Sequence, residues 1–474
     1  MLPCMTSFRT AFAILTALLT CAAGAATDKP NIIYIMADDL GYAELGSYGQ
    51  KKIKTPHLDQ MASEGMRFTQ HYTASPVCAS ARCSLMTGRH GGHSYARNNY
   101  EIGTWESYRG QLPLRPEDVT IAEVLKDADY ATGAFGKWGL GEVGSSGDPL
   151  QQGFDRFFGY NCQRHAHNLF PKYLVDDAGK RILKGNTRGL SGETYAPQVI
   201  ADEMLKFIRD NKDQPFFVYY PTVIPHLALQ VPDKELEQYE GQWTETPYTG
   251  KSYLAHPKPR AAYAAMITFM DKQVGRLMAL LKELKLDENT IVLFTSDNGT
   301  TFLKEQVDFE FFNSVDGLNG LKGSVYEGGI RMPLLARWPG TIKAGSISSH
   351  ICTHYDAMAT LAELAGGNPD PGTDGISYLP TLQGRKQKKH DYLFWDFAGY
   401  GGQLAVRQGN WKAVKRDLKK NPAAPLELYN LKNDRNETKD LASEKKAIAK
   451  RMERIMLEAR TVPVIERFRF GKYE

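Results

Sequence analysis

Two carboxylates stand side by side at Asp38 and Asp39, and a second polar pair, Asp297 and Asn298, lies far along the chain. Adjacent carboxylates repel unless both are solvated or a cation lies between them. Either pair alone reads as an Asx turn that ends a strand. Together they make an all-oxygen donor set, which suits Ca²⁺ or Mg²⁺ better than zinc. The expectation is one Ca²⁺ per chain. Lys137 and His226 are two further polar residues that follow apolar runs.

The elements that must position these groups are legible around them. Residues 31–36 form a short apolar run rich in β-branched side chains and read as a buried strand; residues 131–135, 216–220 and 290–295 read the same way. Asp38-Asp39, Lys137, His226 and Asp297-Asn298 each follow one of these runs. Between them lie helical signals. Thr55 reads as a cap, with Pro56 at the first position, Leu58, Met61 and Ala62 on one face and Gly65 as the stop. Residues 119–125 form a second helical stretch. Residues 261–284 form a long amphipathic one, with Met266, Met270, Val274, Leu277, Leu281 and Leu284 at helical spacing. Strands alternating with helices predict an α/β fold with a mostly parallel central sheet sandwiched by helices. Ligand sites in such sheets lie outside the carboxyl ends of the strands, so four coincidences there point to one composite site. Beyond about residue 375 the texture changes. Residues 403–407 and 411–414 read as short antiparallel strands and 443–459 as a terminal helix. The expected division is a main domain of 27–374 and a smaller C-terminal α+β subdomain of 375–474.

Composition sets the outer bounds. Of 474 residues, 42% are hydrophobic and 24% charged, enough for a sizeable core and too ordinary for a disordered chain or a coiled coil. A formal charge of +4 is too mild for a nucleic-acid binder. Mean hydropathy is −0.41, and the only long apolar run is N-terminal, which excludes a polytopic membrane protein. Residues 1–26 read as a signal peptide, with Arg9, an apolar stretch at 11–19 and an Ala23-Gly24-Ala25 cleavage site. The stretch is too short for a comfortable membrane span, and Cys21 leaves a lipoprotein signal as the alternative. The protein is expected to be exported, periplasmic or secreted. Cys78, Cys83, Cys162 and Cys352 remain after cleavage, and an oxidising compartment would let them pair, with connectivity open.

One segment joins these observations. Cys78, Arg82, Leu85, Thr87, Gly88 and Arg89 stand at the spacing of Cys-x-Pro-Ser-Arg, two variable positions, Leu, x, Thr-Gly-Arg. In this segment the chain resembles the type I sulfatases of the alkaline-phosphatase-like superfamily. The resemblance extends through Asp38-Asp39-Leu40-Gly41-Tyr42, Gly136-Lys137-Trp138, Asp297-Asn298-Gly299, Lys322-Gly323 and Glu327-Gly328-Gly329-Ile330-Arg331-Met332-Pro333. The chain departs from the family pattern at Ser80, where most members have Pro, at Ala81, where most have Ser, and at Gly139, where most have His.

The resemblance implies an alkaline-phosphatase-like fold and a sulfate ester hydrolase. It implies that a formylglycine-generating maturation enzyme oxidises Cys78 to formylglycine, and that the modified residue joins Asp38, Asp39, Asp297 and Asn298 on the metal. One oxygen of the aldehyde hydrate would attack sulfur, and the other would later expel sulfate. If residues 79–86 are helical, Cys78 sits at the positive end of that helix. In the same family pattern Lys137 and Lys322 bind sulfate oxygens, Arg82 steadies the hydrate and His226 serves the leaving oxygen.

His165 and His167 alternate on what reads as an extended segment, and are candidates to replace the histidine missing at Gly139. With Arg164, His93, Arg97, Asn98 and Asn99 they make up the substrate-side group, against the alternative of a hydrogen-bonded structural loop. His354 and Asp356 head an apolar helix ending at Gly366, and Asp356 reads as structural. The expected substrate is a sulfated carbohydrate, with no nucleic acid and no membrane span among the partners. Two rivals stand beside this reading. One is a phosphate monoesterase or diesterase of the same superfamily. The other is a non-catalytic sulfated-glycan-binding protein on the same scaffold, for which Ser80, Ala81 and Gly139 speak.

Overall fold

The computed structural model describes residues 29–102 and 112–473; the segment read as a signal peptide lies outside the described residues. Strand Asn31–Ala37 is buried at every position and sits inside an eleven-stranded sheet. It pairs in parallel with Thr290–Ser296 on one side and Phe216–Pro221 on the other. Ala131–Lys137 joins Phe216–Pro221 in parallel, and Arg156–Tyr160 joins Ala131–Lys137. The centre of the sheet is therefore parallel, as the alternation of strands and helices predicted.

The flanks are not. Arg331–Arg337 runs antiparallel between Thr290–Ser296 and Met66–Tyr72, and the hairpin of Tyr173–Asp176 and Gly179–Ile182 is antiparallel at the far edge. Arg331–Arg337 contains Pro333, which argues against an interior strand because proline cannot donate to the ladder. The neighbouring strand accommodates it. The register with Met66–Tyr72 shifts between Phe68 and His71, opposite Pro333.

Both faces of the central strand are covered. Ile33 and Ile35 share a core with Met204, Ile208, Met270 and Leu277, from helices Ala196–Asp210 and Pro259–Glu283. Ile32, Tyr34 and Met36 share another with Met86, Leu125, Met358 and Leu361, from helices Cys78–Thr87, Ile121–Asp127 and Asp356–Leu364. Helix Pro56–Glu64 starts where expected, but Thr55 does not cap it. The His57 and Leu58 N–H groups donate to Asp271 of the long helix at 3.2 and 2.7 Å. Asp356 accepts from the backbone of Thr353 and Ile376 and from His390, in keeping with a structural role.

C-terminal to the main sheet, Leu393–Phe397, Gln403–Gln408, Trp411–Lys415 and Glu427–Asn430 form a four-stranded antiparallel sheet. Helix Lys446–Glu458 covers one face through Met452, Ile455 and Met456. The other face, with Trp395, Phe397 and Tyr429, packs on Tyr72, Val77 and Ile330 of the larger sheet's side. Trp395 Nε1 donates to Thr73 O at 2.8 Å, close to the Cys78 helix.

The four described cysteines are free and buried. The pairing left open by the sequence is not seen among them, and the thiols lie in separate polar settings. Cys83 accepts from Ser94 Oγ, Cys162 from the His165 N–H, and Cys352 lies 3.4 Å from His71 Nδ1. No described helix is long and apolar enough to cross a membrane.

Candidate active site

The carboxyl ends of the parallel strands are stitched to one another. Asp297 N donates to Ala37 O at 3.0 Å, and Asp38 N donates to Ile224 O at 3.0 Å, in the loop that carries His226. Asp39, in the left-handed region at φ +66°, donates its N–H to Asp297 Oδ1 at 3.1 Å. Thr73 Oγ1 holds Asp297 O at 2.6 Å. These bonds bring three buried aspartates together. Burying carboxylates demands opposite charge, and three cations meet it. Lys137 Nζ is 2.6 Å from Asp38 Oδ2, Lys322 Nζ is 2.7 Å from Asp39 Oδ1, and Arg82 Nη2 is 2.7 Å from Asp297 Oδ2.

The ionisation of the three acids follows from these neighbours. Burial raises the Asp38 carboxyl, but the Lys137, Arg82 and Lys322 charges overcome it and hold the group below its ordinary value. Asp39 is pushed up to about 6 by burial, with Lys322 opposing and Asp38 and Asp297 adding to the rise. Asp297 is raised by burial and by the Asp38 charge.

The donor set fits a hard cation. Asn298 Nδ2 donates to Asp39 Oδ1 at 2.7 Å, while Asn298 Oδ1 is buried without a hydrogen-bond partner. A buried amide oxygen left unpaired beside carboxylates is an acceptor that an ion would satisfy. One ligand atom from each of Asp38, Asp39, Cys78 and His226 lies within 4.8 Å of the others.

Cys78 opens helix Cys78–Thr87, all of whose residues are buried. Three local bonds fix this turn. Asn99 Oδ1 accepts from Ala79 N at 2.8 Å, Pro76 O accepts from Gly323 N at 2.8 Å, and the Ser80 and Ser75 hydroxyls bond at 2.6 Å. The second of these ties the Lys322 loop to the cysteine. Cys78 Sγ lies 3.6 Å from Asp38 Oδ1, 4.0 Å from Asp39 Oδ1 and 3.5 Å from Lys322 Nζ. Burial pushes the thiol up to about 12 in spite of Lys137 and Lys322. A thiol held protonated is a poor nucleophile.

A cavity of about 450 Å³ opens onto these groups, lined by Asp39, Cys78, His226 and Lys322 and, further out, by Asn99, Arg164, His167 and Tyr253. His226 Nδ1 donates to Leu227 O at 2.6 Å, and its Nε2 lies 3.6 Å from Asp39 Oδ2. The His167 ring stacks on it, with centroids 5.0 Å apart at 12°. Burial, with the Lys322 and Lys137 charges, drives His226 well below its ordinary value, and burial does the same to His167.

The cavity gathers Cys78, His226, Lys322, Asp39, Asn99, Arg164 and His167 from the expected site residues. Arg82 and Lys137 lie beneath it, fully buried. Arg82 spends its Nε and Nη2 on Asp297 and its Nη1 on Lys137 O at 2.6 Å, so it braces an acid rather than facing the cavity. Four substrate-side expectations are corrected. Arg97 is buried in an ion pair with Asp396 at 2.9 Å. His93 bonds Asp374 at 2.9 Å and stacks on His90. Asn98 Oδ1 accepts the Asn99 N–H in a turn. His165 packs between Tyr160 and Tyr173, because residues 165–167 form a 3₁₀ turn that sends alternate histidines in different directions. Gly139 has φ +76°, a backbone conformation that a side chain strains. Among the described residues His167 and His226 are the histidines that line the cavity. Sequence reasoning did not find Tyr253, Phe302, Tyr400, Glu101 or Arg467, which come from loops without a motif.

Comparison with known proteins agrees with this arrangement. The family model described as Sulfatase matches residues 30–367, and the one described as N-sulphoglucosamine sulphohydrolase, C-terminal, matches residues 321–461. The chain is 35% identical to arylsulfatase A of Homo sapiens over 424 residues, 84% of this chain and 77% of that protein. It is 32% identical to N-acetylgalactosamine-6-sulfatase of Canis lupus familiaris over 415 residues, 82% and 72% of the two chains. In structure it is similar to Ps i-CgsB in complex with k-i-k-neocarrahexaose, with TM-score 0.76 and 29% identity over 90% of this chain and 92% of that one. A phosphonate monoester hydrolase of Agrobacterium radiobacter, at TM-score 0.62 and 20% identity, shares the fold over 90% of this chain and 94% of that one. The Sulfatase match over residues 30–367 contains the three aspartates, both lysines, Cys78 and His226, and on that ground the chain belongs to the sulfatase family of sulfuric ester hydrolases.

Proposed function

We propose that this sulfatase acts outside the cytoplasm on a sulfated carbohydrate, with formylglycine at position 78 and one calcium ion. The observation that carries the reading is the setting of Cys78. Its Sγ stands at the start of a buried helix, against Asp38, Asp39 and Lys322, and lines an open polar cavity. An ordinary thiol pushed up to about 12 has little use there. An aldehyde hydrate at that position would supply the oxygen nucleophile that the thiol does not.

Asp38, Asp39, Asp297 and Asn298 would hold the ion, whose charge would stabilise negative oxygens developing beside it. The all-oxygen set and the unpartnered Asn298 Oδ1 support calcium. Lys322 reaches the cavity with its ammonium beside Cys78, placed to hold a sulfate oxygen. Lys137, behind Asp38, fixes that carboxylate. His226 is held by Leu227 O through Nδ1–H, which leaves Nε2 as the ring atom that would take up a proton and pass it to the leaving oxygen. Arg82 keeps Asp297 in place.

The carbohydrate reading is supported by the polar cavity and by relatives named for N-acetylgalactosamine-6-sulfate and for a neocarrahexaose complex. The N-terminal segment read as a signal peptide supports export, and formylglycine at position 78 requires a maturation enzyme that accepts Ser80 and Ala81. The test is turnover of the sulfate and phosphate esters of one alcohol, beside sulfated oligosaccharides and an aryl sulfate. Faster release from a sulfated oligosaccharide than from the aryl sulfate supports the reading, and the reverse order overturns it.

A further inference from the structure

Beyond the reacting groups, the cavity reaches a rim built from distant segments of chain. Phe302 and Tyr400, 46% and 60% exposed, both line it, and their rings meet edge-on with centroids 6.0 Å apart. Large apolar side chains left exposed together mark a contact surface. Tyr400 is held there against its backbone preference. Its φ is +40°, in the left-handed region that residues with side chains avoid. Phe397 braces the ring at 5.9 Å, and a Cβ on Gly323, the residue after Lys322, would stand 2.3 Å from Tyr400 Cε2.

The charges on the cavity wall do not cancel. Its charged side chains are Asp39, Glu101, Arg164, Lys322 and Arg467. Lys322 pairs with Asp39 at 2.7 Å and Arg164 with Glu101 at 2.5 Å. Arg467 lies over the Tyr100 ring, 4.1 Å from its centroid, and has no ion-pair partner among the described residues. An aromatic face suits the C–H face of a sugar ring, and a guanidinium fork suits a carboxylate or a sulfate.

Resting on the carbohydrate reading above, we infer that this rim is a second sugar subsite. Tyr400 and Phe302 carry the ring next to the sulfated one, and Arg467 takes an anionic group on that ring, a carboxylate or a second sulfate. The substrate class is then a polyanionic glycan of at least two sugars, rather than a monosaccharide sulfate.

The test uses full-length protein whose conversion at position 78 has been verified. Three disaccharides share one sulfated sugar, and the neighbouring ring carries a carboxylate, a sulfate or neither. The wild type is expected to favour one charged form over the neutral one by about tenfold in kcat/KM, the scale of a charge-assisted hydrogen bond. Which arm is favoured identifies the group. Arg467→Gln brings that ratio close to one, and Arg467→Lys keeps part of it, because lysine supplies the charge without the fork. Tyr400→Leu raises KM for all three. A ratio unmoved by Arg467→Gln, no preference in the wild type, or an unchanged KM in Tyr400→Leu overturns the inference while the hydrolase reading stands. Sulfate release from none of the three, by matured wild type, overturns both.

Discussion

Arg82 sets two nitrogens on one carboxylate oxygen, with Nη2 2.7 Å and Nε 3.2 Å from Asp297 Oδ2, and neither side chain is exposed. The pair lies behind the cavity, so its work is to hold a buried acid in position. Removing one partner of such a pair leaves an uncompensated charge, at about 3–5 kcal/mol. Arg82→Met is therefore expected to lose stability on that scale in denaturant unfolding and to lose sulfate release as well. Unchanged unfolding would contradict the positioning role.

Lys322 differs from Lys137 in reaching the cavity. Its ammonium lies 3.5 Å from Cys78 Sγ and 2.7 Å from Asp39, where negative charge would gather during ester cleavage. Loss of one preorganised donor of this kind costs roughly 10²–10³ in kcat. Lys322→Met should show that fall in steady-state kinetics with its secondary structure intact by circular dichroism. A tenfold change or less would place Lys322 outside the chemistry.

The His167 ring stacks on His226 and meets Tyr253 edge-on. Aromatic pairs contribute about 0.5–1.5 kcal/mol beyond burial. His167→Phe is expected to keep kcat/KM within about threefold of wild type, and His167→Ala to lose about tenfold. Equal losses in both variants would instead assign His167 a hydrogen-bonding role toward substrate.

Glu327 and Glu437 share Lys412, at 2.9 Å each, where the small sheet meets the large one. Burial and the Glu327 charge push Glu437 up to about 7, against Lys412. A carboxyl with a raised folded-state value takes up its proton more readily when folded, so it adds stability as pH falls through 7 toward its unfolded value. The unfolding free energy of the wild type, less that of Glu437→Gln, should grow as pH drops from 7.5 to 5 in urea titrations. A difference that shrinks over that range would reverse the assignment.

Much of the fold and the chemical centre was legible because it obeys local rules. The apolar runs before Asp38, Lys137 and Asp297 are short and rich in strand formers, which favours buried strands, and a parallel sheet delivers their carboxyl ends to one place. The Cys78 motif marked the helix that completes the centre. Arg331–Arg337 was hidden by Pro333, whose missing N–H is absorbed by a register shift in the neighbouring strand. Arg97 and His93 looked available because sequence does not show Asp396 and Asp374, their partners from the far end of the chain. His165 and His167 misled through their spacing, which means opposite things in a strand and in a 3₁₀ turn. Phe302, Tyr400 and Arg467 meet only in three dimensions, and no periodicity announces them.

Residue 78 is the centre of the proposed chemistry. Peptide mass spectrometry of the protein from its native host, beside its sulfate release, tests it. The expected result is the aldehyde or its hydrate at that position, with activity following the converted fraction. An unmodified Cys78 thiol in protein that still releases sulfate would contradict the account.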